Sequence, residues 1–227
     1  MLLFLRDFSD NPAALLAYLG AFCVAFVTGI AFHEFSHAWA ANELGDNTAA
    51  RLGRLTLNPI AHLDPMGTLL LLLIGFGWGK PTPVNPYNLR VGARRGNALV
   101  AAAGPASNFF FAALAALPLK TGLIASIANF SDIGSASGTE IVGLFLVFIV
   151  WINVVLGIFN LIPVHPLDGF KVLVGVLPAD LARPLNQLSA WGPGILMTLF
   201  VVGWVTPYNP IGWLIGGLGN QILRLIV

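Results

Sequence analysis

Two histidines four residues apart, with a glutamate beside the first, stand at His33, Glu34 and His37. Side chains at that spacing share one face of a helix, so both imidazoles can reach a single divalent ion. Glu34 then projects beside them, where it can take a proton from water. This is hydrolytic zinc chemistry, and catalytic zinc takes three protein ligands while leaving one position open. The candidates for the third ligand are His62, Asp64, His165 and Asp168. Asp168 is the favoured one. It follows an apolar run directly, in Asn160-Leu161-Ile162-Pro163-Val164-His165-Pro166-Leu167-Asp168-Gly169, where two prolines break the helix and Gly169 permits a tight turn beside the carboxylate. The plainer alternative for Asp168 is a helix N-cap, and the plainer alternative for the histidine pair is a structural role at a membrane interface.

The elements that must position these side chains are apolar. Hydrophobic residues make up 57% of the 227 positions and charged residues 9%, against about 25% charged in an ordinary soluble domain. The net charge of +1 leaves no basic excess for nucleic acid, and none is expected as a partner. The single cysteine, Cys23, has no internal partner for a disulfide. Met1 to Leu5 reads as an interfacial lead-in stopped by Arg6, Asp7 and Asp10, and no removable signal peptide is expected.

Three runs are long enough for the roughly 20 residues a spanning helix needs: Ala13 to Phe32 continuing into His33, Asn97 to Pro118, and Ile141 to Pro163. Gly194 to Val227 is apolar but broken at Thr206-Pro207-Tyr208-Asn209-Pro210, which leaves one span plus a re-entrant piece or two short tilted spans. Between the first two spans, Ala50 to Leu57 suggests a strand or turn, and Leu69 to Ile74, closed by Gly75, Gly77 and Gly79, suggests a glycine-rich strand or hairpin inside the protein. The expectation is an all-α polytopic membrane protein with about five or six spans and a small membrane-embedded β region between the first two. It is one domain over residues 1–227, with a catalytic core at 13–176 and C-terminal membrane segments at 177–227.

Basic residues set the orientation. Arg51, Arg54, Lys80, Arg90, Arg94, Arg95, Lys171 and Arg183 fall on one side, against Arg6 and Lys120 on the other. Because Lys and Arg accumulate in the cytoplasm, the first helix should run inward and carry His33 and His37 near the cytoplasmic face.

His33-Glu34-x-x-His37, Gly104-Pro105-x-x-Asn108 and Asn160-x-x-Pro163-x-x-Pro166-Leu167-Asp168-Gly169 together resemble the site-2 protease family. Asn58-Pro59-x-x-His62-x-Asp64-Pro65-x-Gly67 and Lys80-Pro81-x-Pro83-Val84-Asn85-Pro86 fit its compact, prokaryotic-looking branch, and no inserted PDZ domain is found. The resemblance implies a zinc-dependent intramembrane endopeptidase of the cell (inner) membrane that cuts transmembrane protein substrates within the lipid bilayer. It implies one zinc per chain on His33, His37 and Asp168, with Glu34 as general base and Asn160 orienting the substrate or stabilising the oxyanion. It also implies that 42–96 forms a sheet able to pair with an unwound substrate. His165 departs from the pattern and could compete for metal or stand behind Asp168.

Other polar residues read more plainly. His62 and Asp64 are either substrate contacts or a turn-stabilising pair. Asn153 faces the helix bundle, Gly104 permits close helix packing, and Trp204, Tyr208 and Trp213 are interfacial anchors. Two rival functions use the same residues. A metal transporter would need a polar path that Ala13 to Phe32 does not offer, and an idle binding protein would have little use for Glu34.

Overall fold

The computed structural model describes residues 11–74, 77–127 and 130–226. The expected lead-in at Met1 to Asp10, and Gly75 of the expected hairpin, lie outside the described residues.

Helix α1 (Pro12–Glu43) begins at Asn11, whose side chain accepts from Ala14 N at 3.0 Å, with Pro12 at the first helical position. Its 32 residues extend about 48 Å, long enough to cross a bilayer and project beyond it. Helix α4 (Ala93–Lys120) and helix α5 (Gly138–Asn160) pack against α1 and each other. A capping box starts α5, in which Ser137 and Glu140 satisfy each other's backbone amides. Small residues let these helices approach closely. Ala112, Ala115 and Ala116 meet Val150, Val154 and Ile158 in one cluster, and Ala25, Phe26 and Ile30 meet Ile152 in another.

Between α1 and α4 run two short helices, α2 (Thr48–Arg51) and α3 (Pro65–Ile74). After α5 come α6 (Asp168–Val176), α7 (Ala179–Gln187), α8 (Gly192–Val205) and α9 (Pro210–Ile226), with α6 packed on α4 and α9 on α5. The break expected around Pro207 separates α8 from α9.

The β region is not found among the described residues. Their only pairing is an isolated antiparallel bridge between Leu63 and Gly79, and Leu69 to Ile74 is helical within α3. The reason is local. Asp64 Oδ1 accepts from Gly67 N at 2.8 Å, and Pro65 opens the helix. The leucine run that follows is a good helix former, and this outweighs the glycines behind it. Ala50 to Leu57 is likewise no strand, being the end of α2 followed by turns.

Four segments are long and apolar enough to cross a membrane: Pro12–Glu43, Ala93–Lys120, Gly138–Asn160 and Ala179–Val205. The fifth or sixth span is not found among the described residues. Helix α9 has 17 residues, about 26 Å, short of the usual span. Polarity is distributed inside out. His33, His37, Asn108, Asn153 and Asp168 are buried, while Leu16, Phe110, Leu114, Leu117 and Trp204 face outward. Apolar surface on the outside of apolar spans, around a polar interior, belongs in lipid. The molecule is an integral membrane protein.

Candidate active site

The last turns of α1 carry His33 and His37 into the bundle, and α6 brings Asp168 to them. Proline-rich 163–166 ends the α5 region and lets the chain turn back toward α1. Leu167 is the cap residue of α6, so Asp168 occupies the first helical position and its carboxylate does not serve as the cap. It meets the imidazoles instead: Asp168 Oδ2 lies 3.1 Å from His33 Nε2 and 3.0 Å from His37 Nε2, and the two Nε2 atoms are 3.0 Å apart.

The hydrogen bonds behind the rings define what those atoms present. His37 Nδ1 lies 2.8 Å from the Val100 carbonyl, which can only accept, so Nδ1 carries the proton. His33 Nδ1 lies 2.7 Å from Asn108 Oδ1. That amide is oriented by Asn108 Nδ2, which donates to the Gly29 carbonyl at 3.1 Å and to Asn153 Oδ1 at 2.8 Å. Asn153 is oriented in turn by donating from Nδ2 to the Ile149 carbonyl at 2.8 Å. Each neutral ring therefore offers a lone pair at Nε2. Two lone pairs and a carboxylate oxygen facing one another at 3.0–3.1 Å form an acceptor cluster without a donor, which is what a divalent cation satisfies. The three residues form a group that could hold a metal ion, with ligand atoms all within 4.8 Å of one another, and zinc fits this nitrogen and oxygen set.

Glu34 stands beside the cluster. Its Oε2 accepts from Thr82 N at 2.8 Å, and Thr82 Oγ1 donates to the Glu34 carbonyl at 3.0 Å. Thr82 lies between Pro81 and Pro83, so its amide is the one backbone donor in that triplet. Lys171 Nζ, at 3.2 Å, binds the other oxygen of Asp168, leaving Oδ2 to the imidazoles. His33, Glu34, His37, Asn160 and Asp168 all line one cavity of about 630 Å³. Asn160 uses one amide hydrogen on the Leu156 carbonyl at 3.0 Å.

The other candidates for third ligand lie elsewhere. His165 packs edge-on against Phe170 with ring centroids 5.7 Å apart, and its Nδ1 is buried without a partner. His62 is fully buried and donates from Nε2 to the Thr56 carbonyl at 2.7 Å, a loop-fastening bond. Asp64 caps α3. Sequence reasoning gave Lys171 and Thr82 no place at the site. It placed Asn153 in the bundle without linking it to His33, and it read Gly104 as packing alone. The signals were faint: an amide donor isolated between prolines for Thr82, and a cation three residues after a candidate ligand for Lys171.

Fold and site together define a helical integral membrane protein with a buried His-His-carboxylate cluster able to hold a metal ion and an adjacent glutamate. The model of peptidase family M50 matches residues 120–201, the stretch that contains Asn160 and Asp168. YwhC of Bacillus subtilis (strain 168), named as a candidate zinc metalloprotease, is 38% identical over 192 residues, covering 84% of this chain and 83% of that protein. Rip2 of Mycolicibacterium smegmatis, similarly named, is 27% identical over 92% of this chain and 83% of its own length. Rip2 of Mycobacterium tuberculosis (strain H37Rv) is 27% identical over 91% and 79%. No solved structure matches. The chain belongs to peptidase family M50, the site-2 protease family, and is a zinc metallopeptidase.

Proposed function

We propose that this protein is an intramembrane endopeptidase that hydrolyses peptide bonds in or near transmembrane segments of membrane proteins. The observation that carries the reading is the donor-free cluster of His33 Nε2, His37 Nε2 and Asp168 Oδ2, opening with Glu34 on a cavity inside a bundle whose exterior is apolar. His33, His37 and Asp168 hold one zinc. The chemistry zinc would supply there is Lewis acidity toward water and a carbonyl oxygen.

Glu34, held by the Thr82 amide, accepts a proton from water as the water oxygen bonds to the scissile carbonyl carbon. It then delivers that proton to the amine nitrogen as the C–N bond breaks. Asn160, anchored on Leu156, offers its second amide hydrogen to the carbonyl oxygen as negative charge develops. A helical substrate must unwind locally, because its peptide groups are closed within its own hydrogen-bond ladder.

Residues 13–176 form the catalytic core and 177–227 the C-terminal membrane segments of one domain. The basic residues between α1 and α4, with Lys171 and Arg183, support a cytoplasmic position for that side and so for the site. The matched relatives are bacterial, which supports the cell (inner) membrane as the location.

The test is cleavage of transmembrane peptides by zinc-loaded protein in liposomes, alongside Glu34→Gln and vesicle zinc uptake. Chelator-sensitive cleavage by the wild type, lost in Glu34→Gln at unchanged zinc content, is the expected result. Zinc flux without cleavage would replace the reading with a transporter.

A further inference from the structure

A second pocket, of about 450 Å³, opens beside the catalytic cavity between the start of α4, α6 and α7. Three cations line it (Arg94, Lys171 and Arg183), together with Asn97, Asn186 and Tyr87, and no carboxylate does. The ion pairs among the described residues all end on Asp168, so Arg94 and Arg183 have no acidic partner there. Unpaired arginines gathered in a concave site, with neutral amide donors between them, are suited to the oxygens of a phosphate, which arginine can grip through two parallel hydrogen bonds.

The pocket's place in the fold points to where a phosphate would come from. Helix α7 turns Arg183 and Asn186 toward the pocket and buries Ala182, while Leu181, and Leu188 and Trp191 in the turn that follows, face outward. Arg183 stands in the polar first turns of the apolar segment Ala179–Val205, and cations at the end of such a segment reach headgroup level. We propose that this pocket binds a phosphate-bearing anion, within reach of an anionic phospholipid headgroup. Lys171 belongs to both cavities and touches Asp168 at 3.2 Å, so a bound phosphate stands one side chain from the metal centre. The proposal does not depend on peptide cleavage.

The experiment is native mass spectrometry of the zinc-loaded full chain in neutral detergent, with phosphatidylglycerol, phosphatidylcholine or inorganic phosphate as probe, on wild type and Arg94→Gln/Arg183→Gln. Helicity and zinc content of the double variant are checked in parallel, since both arginines are exposed and outside the metal centre. The expected result is one phosphatidylglycerol retained in preference to phosphatidylcholine, with that preference reduced at least about tenfold in the double variant and weakened by salt. Displacement of the lipid by millimolar phosphate would assign recognition to the phosphate itself. Retention despite phosphate would assign it to the lipid as a whole. Equal retention of the two lipids together with no binding of phosphate, or a preference unchanged in the folded double variant, would overturn the proposal. So would binding of an acidic peptide where both phosphate probes fail.

Discussion

Gly104 on α4 lies against His37 on α1 so closely that a Cβ at position 104 would stand 2.5 Å from the imidazole Nε2 and 2.7 Å from His33 Cε1. A helix backbone therefore forms one wall of the His33, His37 and Asp168 cluster. Gly104→Ala leaves helix propensity improved, yet the added methyl must displace the ring atoms proposed to hold zinc. The expected outcome is a helical protein with near-zero zinc per chain, measured by elemental analysis beside circular dichroism. Full zinc occupancy would show that the rings do not bind metal in this position.

Asn108 acts on His33 from behind, fixing which nitrogen carries the proton. Removing such a partner behind a ligand costs about 10- to 100-fold in metal affinity, and Asn108→Ala is expected to weaken zinc binding within that range in competition with a chelating dye. Asn153→Ala frees the Asn108 amide and should produce a smaller loss in the same direction. Affinity unchanged in Asn108→Ala would remove the amide chain from the account of the site.

The proposed ligand set makes a differential prediction about two residues three positions apart. Asp168→Ala and His37→Ala should each lose the single zinc of the wild type, whereas His165→Ala should keep it, because its ring packs on Phe170 away from the cluster. Zinc retained in Asp168→Ala and lost in His165→Ala would reverse the assignment.

Asp46 ties the turn after α1 to the segment before α4. Its oxygens accept from Thr48 Oγ1 at 2.5 Å, Asn88 Nδ2 at 2.9 Å and Asn85 N at 2.6 Å. Burial opposes its charge, but these hydrogen bonds win and hold its carboxyl below the usual carboxylate range. Because the folded value is the lower one, the stabilisation is fully present above the unfolded value of about 4 and is lost as pH falls through the folded value. Asp46→Asn should lower the melting temperature at neutral pH, by the equivalent of about 1–3 kcal/mol for the buried donors left short. The gap to wild type should close as pH drops below about 4. A gap independent of pH would mean that the carboxylate charge contributes nothing.

Some of this protein could be read from the chain because the rules involved are local. Four-residue spacing in a helix is enough to put His33 and His37 on one face, and uninterrupted apolar length is enough to mark α1, α4 and α5 as spans. Pro163 and Pro166 are enough to end α5 before Asp168. The same local logic failed at Leu69 to Ile74, where glycines after the run were weighed above the Asp64-Pro65 cap before it, and a helix was read as a strand or hairpin. It also left the spans at about five or six, and four segments long and apolar enough to cross are found among the described residues.

What only the tertiary structure decided is which distant groups meet. Asn108 and Asn153 are polar residues in two different spans, and nothing along the chain says that they join end to end behind His33. The closeness of Gly104 to His37 and the hold of Thr82 on Glu34 depend likewise on how distant segments pack on α1, whereas the Lys171 contact with Asp168 is local to α6. The physical reason is range. Helix periodicity and proline breaks act within a few residues, so the sequence by itself determined which histidines share a face and the spans that carry them. Proton positions, ring orientation and the wall of the site come from contacts between segments 45 to 135 residues apart, which only packing brings together.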